Sequence, residues 1–190
     1  MTSTKELADT LPFDSPDNGS TARDPEHSSF SAYSLINLDH DGQQRLLNDL
    51  NDGDWTTKQC ILATQPDFSG RTLRDIYDHH IEASKEDNEM HPHLFIVADQ
   101  DDWDTNGVLL VYVCAGRVLT RWADDDYEDE YTVGVLRCGV WMADCICCNL
   151  EISKLDFHEF KEGEEREWDG EDIWENKRYS KYSRKTGELN

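Results

Sequence analysis

The residues of this 190-residue chain whose types and spacing come closest to chemistry are its cysteines. Four of the six lie in "RCGVWMADCICCNLEI", Arg137 to Ile152, at Cys138, Cys145, Cys147 and Cys148. Clustered thiolates hold zinc or exchange electrons, so a metal or redox centre is the first chemistry to weigh. The spacing contains no pair of CxxC knuckles and no CxxC followed by HxxxH. If Cys145 to Ile152 is extended, alternate side chains point to opposite faces, so Cys147 and Cys148 diverge while Cys145 and Cys147 share a face. Cys138, or His91 and His93 of "HPH", would be needed to complete a tetrahedral set. The competing reading makes these cysteines small buried hydrophobes of a core strand.

The other chemical candidates are thinner. "DWDTNG", Asp102 to Gly107, has the acids, the asparagine and the glycine that open a calcium loop, but Val113 stands where that loop needs a bidentate glutamate. A turn feeding a strand explains the same residues. His80 and His158 have carboxylates nearby in sequence and are the candidates for a carboxylate and histidine enzyme site, yet neither sits in a nucleophile or metalloprotease motif. There is no Gly-rich phosphate loop, no GxSxG and no HExxH. An enzyme therefore has no positive support, and no cofactor is expected. Trp168 and Trp174, two of six tryptophans, lie in an acidic C-terminal stretch where they either anchor a partner or dock the tail on its own domain.

The elements that must position these residues follow from hydrophobic period. Residues 1–29 are rich in Ser, Thr, Asp and Pro, too polar to offset the entropy of ordering, and read as a disordered leader. From Phe30, "AYSLINL" predicts a strand and "QQRLLNDL" a helix with Leu46, Leu47 and Leu50 on one face. "KQCILATQ" supplies a second short strand. "RTLRDIYDHHIEASKE" places Leu73, Ile76, Tyr77 and His80 on one helical face, where His80 completes the apolar stripe. "HLFIVAD" predicts a central strand, and "VLLVYVCAGRVLTRW" two strands joined at Gly116. "DDDYEDE", Asp124 to Glu130, is a solvated loop, after which "YTVGVLRCG" resumes an extended pattern. In "SKLDFHEFK", Ser153 is an N-cap with Asp156 at the third helical position.

This alternation predicts an α/β or α+β fold: one domain over residues 30–162, a mixed and mostly antiparallel sheet, and two to three helices packed on it. Residues 163–190 form a charged extension, acidic and then basic: Asn176 to Asn190 carries a net +4, leaving −27 on the rest.

Composition bounds the function classes. The 41 acidic and 18 basic residues give a formal charge of −23, which repels nucleic acid and anionic membrane and favours a basic protein partner. No stretch approaches the ~20 apolar residues of a membrane span. The first residues lack an apolar signal core and have Glu6 and Asp9 where a basic leader would stand, so the expectation is a cytoplasmic or nuclear protein that is not secreted. In such a compartment the cysteines are expected as reduced thiols.

"PDFSGRTLRDIY", "HLFIVAD", "VLLVYV" and above all "NLEISKLDFHEF" resemble the family termed domain of unknown function 6924, found in small bacterial proteins and fungal relatives. Asn149, Leu150, Ile152, Asp156, Phe157, Glu159 and Phe160 match its pattern of roughly NLxIxxxDFxEF, and the likeness covers Tyr33 to Lys161. The family transfers no activity, cofactor or ligand. Because Cys145, Cys147 and Cys148 fall outside its motif, the resemblance implies no shared metal site. It implies that Leu150, Ile152, Phe157 and Phe160 pack the core. Asn149, Asp156 and Glu159, with Trp168 and Trp174, are the candidate binding residues. The sequence thus points to a non-enzymatic protein-interaction module; the alternatives are a metal- or redox-sensing protein using Cys138, Cys145 and Cys147, and an enzyme with a carboxylate and histidine site.

Overall fold

The computed structural model describes residues 4–12, 29–52, 59–113 and 133–151, together with 157 and 160. Five strands form one sheet: β1 (Ser29–Ser34), β2 (Cys60–Leu62), β3 (Met90–Ala98), β4 (Val108–Val113) and β5 (Val133–Cys138), in the order β2-β1-β3-β4-β5. β1 pairs in parallel with both β2 and β3, and β3–β4 and β4–β5 are antiparallel. The sheet is mixed, as its sequence predicts, with its described pairings divided equally between the two kinds.

The parallel pairs demand crossover helices, and the chain supplies them where the 3.6-residue period predicts. α2 (His40–Leu50) links β1 to β2, and α3 (Leu73–Glu86) links β2 to β3. Asp39 caps α2 by accepting the Gly42 N–H at 2.8 Å. α3 opens on a full capping box, in which the Asp75 N–H donates to Thr72 Oγ1 and the Thr72 N–H to Asp75 Oδ2.

The two crossovers run in opposite directions across the sheet, β1 to β2 and then β2 past β1 to β3, so their helices cover opposite faces. Leu46 and Leu50 of α2 bury with Phe30, Ala32, Leu94 and Ile96. Leu73, Ile76, Tyr77 and Ile81 of α3 bury with Tyr33, Phe95, Val97 and Leu109. Residues that alternate along one strand therefore enter two different cores. Burial on both sides is why "HLFIVA" reads as an unbroken apolar run.

Two sequence expectations change. Cys145 to Ile152 was expected as a strand, whereas Ala143–Glu151 is helix α5, entered through a 3₁₀ turn at Val140–Met142. Ile146, Cys147 and Leu150, at spacings of one and three, turn onto the sheet face that α2 also covers. An apolar run of this length suits a buried helix face as well as a strand, and tertiary packing selects the helix. Part of the leader is also structured: Thr4–Ala8 is a short helix, α1, and Leu11 is buried in the core beneath α3. Leu7 and Ala8 pack, partly buried, against the same core.

The turn at "DWDTNG" is a short helix, α4 (Trp103–Asn106), that ends at Gly107 before β4. Gly107 adopts φ 75° and ψ −175°, and a Cβ there would lie 2.2 Å from the Cys138 carbonyl oxygen. Glycine is needed for both the conformation and the close approach. The strand expected after Gly116, the acidic loop, Ser153 and the C-terminal extension lie outside the described residues.

Candidate functional site

Helix α5 separates the cysteines that strand alternation had grouped. Residues two apart on a helix lie about 200° apart, so Cys147 faces the sheet, fully buried, while Cys145 is partly exposed. Burial pushes the Cys147 thiol well above its ordinary range, and the nearby Cys60, Cys138, Cys148 and Asp144 push it further. Burial likewise raises Cys60 to about 12. These are protonated, unreactive thiols, the opposite of the electropositive setting that activates a cysteine. Among the described residues no three His, Cys, Asp or Glu side chains converge to hold a metal ion, so Cys138, Cys145 and Cys147 do not form the set drawn from an extended strand.

His80 is a core residue. Its Nε2 lies 3.0 Å from the His91 carbonyl oxygen, which can only accept, so Nε2 carries the proton and Nδ1 accepts from the Tyr33 hydroxyl at 3.0 Å. Burial holds its pKa down at about 3, leaving it neutral and fully committed at physiological pH. Asn149 lies within α5 and not at a strand end; its Nδ2 donates to the Cys145 carbonyl at 2.8 Å. Phe157 stacks on Tyr112 and lies over Gly134 of β5, and it packs with Phe160 against the α2 and α5 core, the architectural part expected for those aromatics. Asp156, His158, Glu159, Trp168 and Trp174 lie outside the described residues.

The arrangement that could hold a ligand is elsewhere, at the carboxyl ends of β1 and β2. The first crossover leaves β1 toward one edge of the sheet and the second returns over it to β3. That reversal sets the topological switch point between β1 and β3. Beside it, between the loops that follow the parallel pair β1 and β2, lies a cleft of about 330 Å³. One wall is Ser34 and the turn Ile36–Leu38 after β1, with Gln43 of α2 behind it. The other wall is Leu62 and the segment 63–69 that follows β2.

Local hydrogen bonds build both walls. The Ser34 hydroxyl donates to the Ile36 carbonyl at 2.9 Å, and Gln43 Nε2 donates to the Leu38 carbonyl at 3.1 Å. In "PDFSG", Asp67 Oδ1 accepts from the Ser69 hydroxyl at 2.6 Å and the Ser69 N–H at 2.8 Å. Those two donors hold the Asp67 carboxyl below its ordinary range. The Gly70 N–H donates to the Leu35 carbonyl at 2.9 Å, tying this loop to the end of β1. Phe68 packs beneath, edge-on to Tyr33. The Gln65–Pro66 peptide is cis.

The resulting lining is uniform in character. Asn37, Thr64 and Gln65 add amide and hydroxyl groups to those of Ser34, Gln43 and Ser69. Among the described residues Asp67 is the sole ionisable side chain of the lining, which includes no Lys, Arg or His. A hydroxyl without a neighbouring base is a poor nucleophile, and a carboxylate held below its usual range is a poor general base. The cleft is suited to hydrogen bonding and to positive charge, and unsuited to anions.

Residue-by-residue reading missed this site because its polar groups come from two stretches, "SLINL" and "LATQPDFSG", that look like ordinary strand-to-helix turns. The available signal was their common position, each directly after a strand in a β-α-β-α-β run.

Another ion pair stands at the same end of the sheet. Arg137 forks onto Asp99, at 2.9 and 2.6 Å, with both side chains largely buried. Arg137 also reaches toward the Gly107 carbonyl at 3.5 Å, so it pins the β3–β4 connection to the end of β5.

Fold and site together define a three-layer α/β protein with a polar cleft at the carboxyl ends of its parallel strands β1 and β2. No protein-family model, curated protein or solved structure matches this chain. No helix among the described residues is long and apolar enough to cross a membrane.

Proposed function

We propose that this chain is a non-enzymatic interaction module that takes a segment of a basic partner protein into the cleft at the carboxyl ends of β1 and β2. The observation that carries this reading is the lining: among the described residues it consists of amides, hydroxyls and one carboxylate, with no cation and no nucleophile–base pair. A volume of about 330 Å³ is at the small end of ligand sites and suits one or two side chains of a larger partner. The formal charge of −23 adds long-range attraction for a positive partner and repels nucleic acid and anionic membrane. A metal or redox sensor and a histidine enzyme have less support, since Cys147 is a buried protonated thiol and His80 is buried, neutral and doubly hydrogen-bonded.

The tryptophan-bearing extension, Trp168 and Trp174, is the rival contact surface within the same reading. A pull-down with three chains separates them: the full-length protein, a chain ending at Lys161, and Thr64→Trp, which fills the cleft. The expected outcome is that Thr64→Trp loses the partners while the truncated chain keeps them. Retention of every partner by Thr64→Trp sinks the cleft as the contact, and their loss on truncation alone moves the contact to residues 162–190.

A further inference from the structure

Among the described residues β2 is the edge strand beside the cleft, and they cover its backbone only in part on the outer side. Ile61 and Ala63 direct their backbone groups inward to β1, as the Ala63 N–H donating to the Ala32 carbonyl at 2.8 Å demonstrates. Alternation sends the groups of Cys60 and Leu62 outward. At Cys60 both are met by one side chain: its N–H donates to Asn51 Oδ1 at 2.8 Å, and its carbonyl accepts from Asn51 Nδ2 at 3.0 Å. The Asn51 amide thus does for Cys60 what a neighbouring strand would do. No such cap stands at Leu62 among the described residues, and Leu62 is also a wall of the cleft. Between them Ile61 is 53 % exposed, an open large apolar side chain on the other face of the same strand.

Resting on the cleft reading above, we infer that the partner segment binds as an added β-strand. An extended basic peptide pairs with the outward N–H and carbonyl of Leu62, covers Ile61 with one side chain and places a neighbouring one in the cleft. Main-chain pairing with an edge strand supplies affinity, and alternate side chains supply selectivity. Charge selects the occupant. Among the described residues Asp39, Asp52 and Asp67 near the edge and cleft are all exposed, and Arg71 lies beside Asp67. A second copy of the chain is disfavoured by the mutual repulsion of two −23 molecules and by a strand of only three residues.

The test is selection of a randomised, displayed dodecapeptide library against the full-length chain, followed by amide exchange and affinity measurements on the selected peptides. Basic sequences are expected, binding should slow exchange of the Leu62 amide, and N-methylation of alternate peptide residues should cost about tenfold or more in affinity. Leu62→Pro removes the outward donor without touching the pairing to β1 and should weaken binding similarly. Ile61→Asp, at an exposed side chain, provides a second variant should the proline disturb folding. Peptides that perturb Asn37, Gln65 and Asp67 but leave Leu62 exchange unchanged overturn strand addition while preserving the cleft reading. Peptides that are acidic, that bind elsewhere, or that fail to emerge overturn both.

Discussion

Gly107 and Gly70 carry the two positive backbone angles of the described chain, φ 75° and 70°, and they respond differently to a methyl group. At Gly107 an added Cβ meets the Cys138 carbonyl, and ψ of −175° places the residue in a region essentially confined to glycine. Gly107→Ala should cost more than about 2 kcal/mol in urea unfolding. Gly70 has open space around it, so Gly70→Ala should cost only about 1 kcal/mol, the left-handed strain alone. Equal losses at the two sites would contradict this account.

His80 makes a prediction about acid. Its folded pKa of about 3 lies below the unfolded value of roughly 6.5, so between those pH values the unfolded chain binds the extra proton. The stability it contributes is present above the unfolded pKa and is lost as pH falls toward the folded one, by up to about 1.4 kcal/mol per pH unit. Exposed Asp67 and Asp75, held below their usual range by Ser69 and Thr72, act in the same direction at lower pH, whereas Asp144, raised by burial, opposes them. His80→Gln keeps a neutral donor and acceptor but cannot titrate. Its urea midpoints should fall less steeply than the wild type's between pH 6.5 and 5, whatever its absolute stability.

Elements rather than single residues account for the cysteine-rich stretch. Read as a strand, it aligns Cys145 with Cys147; as helix α5, it aligns Ile146, Cys147 and Leu150 on the sheet and turns Cys145 away. The apolar content was legible in the sequence, but the period was not, because only nine residues with few polar gaps are compatible with either shape. By contrast α3 was legible throughout, since its fourteen residues carry a repeated apolar stripe and an N-terminal box.

The same packed layer explains the aromatics after α5. The Phe157 ring lies where a Gly134 Cβ would stand, 2.5 Å from its nearest carbon, and stacks on Tyr112. Gly134→Ala should therefore destabilise by about 1–3 kcal/mol, and much less in a Phe157→Leu background. Additive losses in that double-mutant cycle would show that the two elements do not meet as described.

Over the whole molecule, charge opposes compactness. At −23 the whole chain works against its own repulsion, so added salt should stabilise the fold. Between about 0.01 M and 0.15 M ionic strength the screening length falls from ~30 to ~8 Å, and the thermal midpoint should rise over that interval. A falling midpoint would mean that favourable pairs dominate the surface. The same screening should weaken capture of a basic partner, which separates the effect of salt on binding from its effect on stability.

The sequence by itself determined the alternation of strands and helices, the mixed sheet, the apolar central strand and the sign of the surface. Each is written locally, in period, capping residues and composition. Only the tertiary structure decided that α5 is a helix, that His80 is a neutral core residue bridging Tyr33 and the His91 carbonyl, and that the polar ends of β1 and β2 face each other across a cleft. Those outcomes depend on which segments become neighbours. The crossover that lays β2 parallel beside β1 brings together residues some thirty positions apart, and no short-range pattern encodes that meeting.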